Sequence, residues 1–212
     1  MALSIYELKP RFQAVLRPMV GALARAGVTA NQVTVLACGV SVVLGAWLYV
    51  TPIAWAYVLV PVWMLLRMAL NAIDGMLARE HGQQSVMGAY LNELTDVISD
   101  AALYLPFACI APFNGLWVGL VILLAALSEF AGALGTTVGA GRRYDGPMGK
   151  SDRAAVFGVI GAAVALTGGD LSGGQPAMAA VLEWIMPVVA ALTLWSIVNR
   201  IRAGVQLAPP HP

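Results

Sequence analysis

The sequence predicts an all-α integral membrane protein, with six transmembrane helices preceded by an amphipathic helix on the membrane surface. Of its 212 residues, 59% are hydrophobic and 11% are charged, and the mean hydropathy is +0.78. Soluble domains carry roughly 25% charged residues. Six apolar stretches are long enough to cross about 30 Å of hydrocarbon, which takes about 20 helical residues each. The length suits one membrane domain over residues 1–212.

Residues 8–27 are predicted to form the interfacial helix. Its apolar side chains recur at helical spacing, and they are Phe12, Val15, Leu16, Met19 and Leu23. The cations Arg11, Arg17 and Arg25 lie elsewhere around the helix, where they would meet anionic lipid head groups. A helix packed beneath the bundle would show the same pattern. The N-terminus has no apolar segment followed by a small-residue cleavage site, so we expect no cleaved signal peptide.

The six predicted spans make up a bundle over residues 33–200. They cover 33–51, 53–79, 88–111, 115–139, 152–168 and 177–200. Gly, Pro and Asn are frequent in the connectors between them, which is typical of turns. The last segment, 205–212, is predicted to be a disordered tail.

Basic residues predict the orientation of the bundle. If the six spans alternate in direction, eleven of the twelve Lys and Arg residues fall on one side, and only Arg67 lies inside a span. By the positive-inside rule that side is the cytoplasm, and it holds both termini, the turn at 80–87 and the loop at 140–152. We expect a bacterial inner membrane as the location.

Charge and cysteine content exclude two further features. The net charge of +1 argues against nucleic acid as a partner. Cys38 and Cys109 fall near opposite ends of different predicted spans, too far apart for a disulfide bond.

Polar side chains collect at the cytoplasmic end of the second and third spans. Asn71 and Asp74 share a face of the second span, and Asn92, Asp96 and Asp100 follow at intervals of four residues on the third. Charges beside a membrane core are costly and usually functional. Oxygen ligands from facing helices suit a hard cation such as Mg²⁺, with Mn²⁺ as the alternative. Since Mg²⁺ commonly bridges carboxylates and substrate phosphates, a diphosphate is the expected ligand.

The depth of each position predicts which of these side chains meet. If the two spans are antiparallel, one residue of each span lies at the same depth when the two residue numbers add up to nearly the same total for every pair. The resulting pairs are Asp74 with Asn92, Asn71 with Asp96, and Arg67 with Asp100. Because a buried charge needs a partner, Arg67 and Asp100 are predicted to form a structural ion pair. Asp74 and Asp96 have no cation at their depth, which favours a functional role over plain interhelical hydrogen bonding.

Eight positions across these two spans resemble the signature of the CDP-alcohol phosphotransferase superfamily, D-x2-D-G-x2-A-R-x8-G-x3-D-x3-D. The positions are occupied by Asn71, Asp74, Gly75, Ala78, Arg79, Gly88, Asn92 and Asp96. The spacing matches throughout, and six of the eight residue types agree. The segment GVTAN at 27–31 is also similar to the GITPN-type segment that precedes the first span in that family.

The resemblance implies a fold, a reaction and a set of site residues. It implies a six-helix membrane bundle, usually a homodimer, that transfers a substituted phosphate from a CDP-linked donor to a polar alcohol and releases CMP. CDP-diacylglycerol is the preferred donor, which would make the product a phospholipid. The implied metal ligands are Asn71, Asp74, Asn92 and Asp96, with Asp96 also the base for the acceptor hydroxyl. The implied contacts to the CDP moiety are Gly75, Ala78, Arg79 and Gly88.

Asn71 and Asn92 stand where the family has aspartate. Asparagine offers a carbonyl oxygen but no negative charge. Three interpretations follow: the diphosphate donor completes the metal site, the function shifts one turn deeper with Asp100 as the base, or the protein binds a CDP-lipid or a metal without turnover. The other six signature residues favour the first. A small transporter is disfavoured, because the sequence lacks the two pseudo-symmetric halves typical of that class.

The basic loop between the fourth and fifth spans lies near the mouth of this site. Its cations Arg142, Arg143, Lys150 and Arg153 are candidates for binding an acceptor phosphate or the donor diphosphate. The positive-inside rule alone would explain one or two of them. Within the fourth span, Glu129 is predicted to make an interhelical hydrogen bond or to be a protonated, neutral acid, with contact to a polar acceptor as the alternative.

Overall fold

All elements in the described part of the chain are helices. The computed structural model describes the backbone of residues 5–51 and 53–209 and the side chains from residue 12 onward, except residues 52 and 210–212. The α-helices are α1 (Ile5–Arg25), α2 (Ala30–Val50), α3 (Leu59–Glu80), α4 (Val86–Tyr104), α5 (Gly115–Thr137), α6 (Lys150–Leu166), α7 (Pro176–Leu182) and α8 (Ile185–Leu207). A 3-10 helix, Ala54–Val58, precedes α3, and another, Leu105–Cys109, follows α4.

Four helical segments within these residues are long and apolar enough to cross a membrane. They are Ala30–Val50, Ala54–Glu80, Gly115–Thr137 and Pro176–Leu207. The remaining long helices of the bundle are α4, with 19 residues, and α6, with 17. Both carry charged residues of the predicted site, which lowers their apolar character. The all-helical class is therefore confirmed, and the assignment of α4 and α6 as spans stays a prediction.

Several predicted boundaries are wrong because polar caps and proline act where hydropathy gives no signal. Helix α2 begins at Ala30, since Thr29 Oγ1 accepts from the Gln32 amide at 3.2 Å and Gln32 Oε1 accepts from the Thr29 amide at 2.9 Å. The predicted span 88–111 is interrupted near Pro106, where α4 gives way to a 3-10 helix. The span 177–200 is likewise divided into α7 and α8.

The predicted tail at 205–212 does not begin at residue 205. Residues 205–207 form the last turn of α8, which ends at Leu207. Ala208 is extended, the conformation that Pro209 favours in the residue before it. Residues 210–212 lie outside the described part of the chain.

Helix α2 organises the side of the bundle that carries the polar residues. It packs against both α3 and α4. At its crossing with α4, a Cβ on Gly45 would lie 2.1 Å from the Ala102 carbonyl oxygen, so only glycine permits this approach. Elsewhere α6 packs on α3, and α5 packs on α8. Tyr104 of α4 stacks on Phe157 of α6 with ring centroids 3.9 Å apart, which ties these helices to the core.

Helix α1 covers the cytoplasm-directed end of α3 in the predicted orientation. Leu16 and Val20 are buried in a cluster with Ile73 of α3. Arg17 Nη2 and Glu80 Oε1 form an exposed ion pair at 3.0 Å. Met19 remains exposed on another face of the helix. Residues Ile5–Arg25 are therefore helical and part of their apolar surface packs against the bundle, while the placement of this helix on a membrane surface stays a prediction.

Candidate active site

The polar ends of α3 and α4 meet through four side chains. Asn71 Nδ2 donates to Asp96 Oδ1 at 3.2 Å, and Arg67 Nη2 lies 3.3 Å from the same oxygen. The second terminal nitrogen of Arg67, Nη1, lies 2.6 Å from Asp100 Oδ1. Arg67 and Asp100 are both buried. The structure thus places Asn71 beside Asp96 and Arg67 beside Asp100, at the depths that the antiparallel register predicts. The expectation that Asp96 lacks a nearby cation is wrong, because the long side chain of Arg67 spans one helical turn and contacts both carboxylates.

Asp74 lies in a different environment from Asp96. It is buried, and its Oδ2 accepts from the Thr34 hydroxyl of α2 at 2.8 Å. Among the residues whose side chains are described, no Lys, Arg or His nitrogen lies within 4.0 Å of its carboxylate. Asp74 is therefore held by a neutral donor, and its charge is not balanced by a contacting cation.

A cleft of about 850 Å³, here called the polar cleft, opens beside Asp74. Its lining includes Asp74, Asn92 and the four positions that the signature assigns to the CDP moiety, which are Gly75, Ala78, Arg79 and Gly88. The glycines keep it open: a Cβ on Gly75 would lie 3.0 Å from Arg79 Nη2, and one on Gly88 would lie 2.9 Å from Asn31 Oδ1. Its size is within the usual range of about 300–1,000 Å³ for small-molecule sites.

A second cavity, of about 400 Å³, lies on the other side of Asn92 and is here called the cationic cavity. Its lining consists of Asn92, Asp96, Glu129, Arg142, Tyr144, Gly149, Lys150, Ser151, Asp152 and Arg200. Lys150 Nζ lies 2.5 Å from Asp96 Oδ1. Asn92 and Arg142 also line the polar cleft. The two spaces are therefore neighbours that share a wall.

Three guanidinium groups surround Glu129 at the base of the cationic cavity. Its carboxylate lies 2.9 Å from Arg153, 3.4 Å from Arg142 and 3.5 Å from Arg200. These are the interhelical contacts that the sequence predicts for Glu129, made as ion pairs. The lining of the cavity itself is balanced in formal charge, with the cations Arg142, Lys150 and Arg200 and the carboxylates Asp96, Glu129 and Asp152. Arg200 is a residue that the sequence interpretation missed as part of the site, although it appears there as one of the cytoplasmic cations.

The four predicted anion-binding cations divide into two groups. Arg142 and Lys150 line the cationic cavity. Arg153 is completely buried, where it donates to the Met148 carbonyl oxygen at 3.1 Å and contacts Glu129. Arg143 pairs with Asp145 in the loop at 2.9 Å and lowers the pKa of that carboxyl. Arg153 and Arg143 therefore shape the surroundings of the cavity.

An apolar groove of about 510 Å³ runs between α3 and α6 and ends beside the cationic cavity. Its apolar lining includes Met64, Leu65 and Val159. At its polar end it is lined by Arg67, Asn71, Asp100, Lys150 and Ser151. Lys150 borders both the apolar groove and the cationic cavity, and the cationic cavity shares Asn92 and Arg142 with the polar cleft, so the three spaces adjoin one another.

The donor set fits a hard divalent cation, although it carries little charge. Among the described residues, no three His, Cys, Asp or Glu side chains are grouped so that they could hold a metal ion. The four expected ligands instead combine two carboxylates with two amides, and all four offer oxygen, which Mg²⁺ and Mn²⁺ prefer. Asp74 and Asn92 line one cleft, and Asn71 contacts Asp96. Bound anionic substrate would therefore have to supply part of the negative charge.

The fold and the site together define a membrane-embedded helical bundle with a polar site where three cavities converge. The sequence profile of the CDP-alcohol phosphatidyltransferase family matches residues 27–195. The chain therefore belongs to the CDP-alcohol phosphatidyltransferase family. This agrees with the resemblance in the signature residues and assigns the chain to a family of phosphatidyl-transferring enzymes.

Relatives and solved structures agree with this assignment. The chain is 41% identical over 204 residues to the inner membrane protein YnbA of Escherichia coli, covering 95% of this chain and 96% of the relative. It is 30% identical over 151 residues to archaetidylinositol phosphate synthase of Aeropyrum pernix, covering 67% and 70%.

The fold is similar to that of Mycobacterium tuberculosis phosphatidylinositol phosphate synthase. The structure of that protein in complex with manganese and citrate has a TM-score of 0.67 at 20% identity, covering 89% of this chain and 88% of the other. The structure with CDP-DAG bound has a TM-score of 0.64 at 22% identity, covering 88% and 92%. At this level of identity the similarity concerns the fold alone.

Proposed function

We propose that this protein transfers the phosphatidyl group of CDP-diacylglycerol to an anionic polar alcohol and releases CMP, with Mg²⁺ as the preferred cation and Mn²⁺ as an alternative. The observation that carries the proposal is that three spaces share walls: Asn92 and Arg142 line both the polar cleft and the cationic cavity, and Lys150 lines both the cationic cavity and the apolar groove. The polar cleft suits a nucleotide, the apolar groove suits acyl chains, and the cationic cavity suits an anion. One reaction that uses all three is the transfer of a lipid phosphate from a nucleotide to an anionic alcohol.

The apolar groove supports a lipid donor over a soluble CDP-alcohol. A soluble donor would need the polar cleft and have no use for a groove lined by Met64, Leu65 and Val159. In the proposed complex, Gly75, Ala78, Arg79 and Gly88 surround the CDP moiety, and Arg79 neutralises diphosphate charge. The structure of a protein of similar fold with CDP-DAG bound is consistent with this donor.

The proposed reaction forms one phosphorus–oxygen bond and breaks another. Asp96 accepts the proton of the acceptor hydroxyl, whose oxygen attacks the phosphorus that carries the diacylglycerol. The bond from that phosphorus to the oxygen of the CMP phosphate breaks, and CMP leaves with the negative charge. Such a transfer depends mainly on alignment and charge neutralisation. Arg142 is placed to serve both substrates, because it lines the polar cleft and the cationic cavity.

Asn71, Asp74, Asn92 and Asp96 are the proposed cation ligands. A bound divalent cation would supply neutralisation of the diphosphate charge. The diphosphate itself would replace the two charges that Asn71 and Asn92 lack. The alternative in which Asp100 is the base is weakened by its burial and by its position, since Asp100 lines the apolar groove, whereas Asp96 lines the cationic cavity proposed for the acceptor.

An anionic acceptor is supported by the cations of the cationic cavity. Arg142, Lys150 and Arg200 line it together with the carboxylates Asp96, Glu129 and Asp152, so the cations offer contacts to a phosphate without a net positive charge. A phosphorylated polyol carries both the hydroxyl and the anion that this arrangement suits. The names of two similar proteins, archaetidylinositol phosphate synthase and phosphatidylinositol phosphate synthase, are consistent with an acceptor of this class.

The proposed setting is a single domain that spans a bacterial inner membrane six times, with α1 at the cytoplasmic surface and both termini in the cytoplasm. A homodimer is part of this proposal. Helix α4 with its following 3-10 helix runs from Val86 to Cys109, which is long enough to cross the hydrocarbon. The 17 residues of α6 are at the lower limit for a span.

The experiment that tests the function is CMP release from CDP-diacylglycerol by the purified chain in detergent with Mg²⁺. Phosphorylated polyols should support release, and the same polyols without phosphate should support it weakly. Asp96→Asn should lower the rate about 100-fold or more, because a positioned general base contributes about 10²–10⁴-fold. The matched control is Asp170→Asn, a carboxylate in the exposed loop between α6 and α7. Absence of CMP release with every acceptor would favour a protein that binds a CDP-lipid without turnover.

A further inference from the structure

The two carboxylates of the candidate site are not equivalent in charge. Three nitrogens lie close to Asp96 Oδ1: Lys150 Nζ at 2.5 Å, Asn71 Nδ2 at 3.2 Å and Arg67 Nη2 at 3.3 Å. Asp74, in contrast, accepts from the hydroxyl of Thr34 at 2.8 Å. One carboxylate is thus already in contact with fixed positive charge, and the other is held by a neutral group.

Lys150 reaches Asp96 from a firmly held position. It is the first residue of α6, and the helix start is capped because the Gly149 amide donates to Asp152 Oδ2 at 2.9 Å. Three residues later, Arg153 is completely buried against Glu129. The capped start of α6 therefore positions Lys150 where the apolar groove meets the cationic cavity.

A second divalent cation would meet two obstacles at Asp96. If it bound Asp96 Oδ1 at a usual Mg²⁺–oxygen distance of about 2.1 Å, it would share that oxygen with the Lys150 ammonium and lie within about 5 Å of it. Like charges at that separation repel strongly in a partly buried site. Asn71 and Asn92 would bring no negative charge to offset the repulsion.

We propose that Lys150 takes the place of one divalent cation, so that this protein binds a single cation at Asp74 and uses the Lys150 ammonium as the fixed positive charge at Asp96. This narrows the set of proposed cation ligands, because Asp96 then binds Lys150 in place of a divalent cation. This proposal rests on the proposed function, since it gives Lys150 a role at the same Asp96 that the proposed reaction uses. It also gives the two asparagines a physical reason: a site with one divalent cation and one ammonium needs less negative charge than a site with two divalent cations.

The test counts bound Mn²⁺ on the full chain in detergent, with CDP present, by the electron paramagnetic resonance signal of free Mn²⁺. We expect one Mn²⁺ per chain, retained in Asp96→Asn and lost in Asp74→Asn. Two Mn²⁺ per chain, no bound Mn²⁺, or a single Mn²⁺ that is lost in Asp96→Asn would each overturn the proposal.

A triple variant tests the role of the lysine itself. Lys150→Met combined with Asn71→Asp and Asn92→Asp removes the ammonium and restores both charges, so it should bind two Mn²⁺ per chain. A single Mn²⁺ in this variant would overturn the proposal, provided that the variant elutes from gel filtration like the unaltered protein. Arg202→Met, which removes an exposed cation of α8, is the matched control and should leave the count at one.

Counting does not depend on turnover. One Mn²⁺ at Asp74 without CMP release would uphold the single-cation site and reject the transferase function. CMP release together with two bound Mn²⁺ would uphold the transferase function and reject the single-cation site.

Discussion

At the scale of single residues, Thr34 shows how the fold prepares a cation ligand. Its hydroxyl donates to Asp74 from a neighbouring helix, so the carboxylate is held in one orientation while its charge remains available. Partners that orient a metal ligand in this way typically contribute about 10- to 100-fold to metal affinity. Thr34 is therefore a positioning residue in the proposed site.

Replacing this hydroxyl should weaken cation binding without unfolding the protein. Thr34→Val keeps the shape of the side chain and removes the donor, so we expect Mn²⁺ affinity to fall about tenfold. Titration with Mn²⁺ in detergent measures the change, and Thr34→Ser, which keeps the hydroxyl, is the control. Equal affinity in the valine variant would show that Asp74 needs no help from α2.

The sequence is most informative about residues whose spacing repeats along one helix. Asn71 and Asp96, and Arg67 and Asp100, can be paired from their numbers because two antiparallel helices share a depth scale. Arg200 cannot be found in this way. Its role depends on Glu129, which lies far away in the chain on another helix, and no periodicity connects the two.

At the scale of helices, the crossing of α2 and α4 decides where the polar residues stand. Gly45 lets the two backbones approach so closely that an added Cβ would overlap the carbonyl group of Ala102. Helix α2 also packs on α3, and residues of all three helices line the polar cleft.

Gly45→Ala should therefore destabilise the protein, because the methyl group meets backbone that cannot move alone. Overpacking of this kind costs about 1–3 kcal/mol. Gly39→Ala is a matched control on the same helix, since its Cβ would have no neighbour within 4 Å. The control should be neutral or slightly stabilising, because alanine is the better helix former by about 1 kcal/mol. Thermal unfolding in detergent compares the two variants, and equal midpoints would contradict the close crossing.

Helix existence is predicted well from the sequence and helix ends are predicted poorly. Apolar stretches indicate where helices lie, because burial in lipid or in the core requires them. The ends depend on single groups, such as the Thr29 hydroxyl that starts α2 and the proline at 106 that follows α4. These groups act over a single helical turn, so hydropathy averaged over about 20 residues does not detect them.

At the scale of the whole molecule, the position of the basic loop distinguishes six spans from four. If α4 and α6 did not cross the membrane, the loop that carries Arg142 and Lys150 would lie opposite the N-terminus. The positive-inside rule opposes that arrangement. Six spans instead keep the cationic cavity on the cytoplasmic side.

Single cysteines test this topology in intact cells. In a background without Cys38 and Cys109, Tyr144→Cys places a thiol at an exposed loop position. A membrane-impermeant maleimide should label it only after the cells are permeabilised. Gln175→Cys, also exposed, belongs to the connector on the opposite side and should be labelled directly. Direct labelling at position 144 would indicate that α4 and α6 do not span.

The wall between the polar cleft and the cationic cavity has a consequence for the order of events. Asn92 and Arg142 face both spaces, so any ligand on one side meets side chains that a ligand on the other side has already engaged. The two affinities are then linked, and thermodynamics requires the linkage to be equal in both directions. Double-reciprocal plots of the rate of CMP release against the concentration of one substrate, at several fixed concentrations of the other, should give intersecting lines. Parallel lines would indicate that no ternary complex forms.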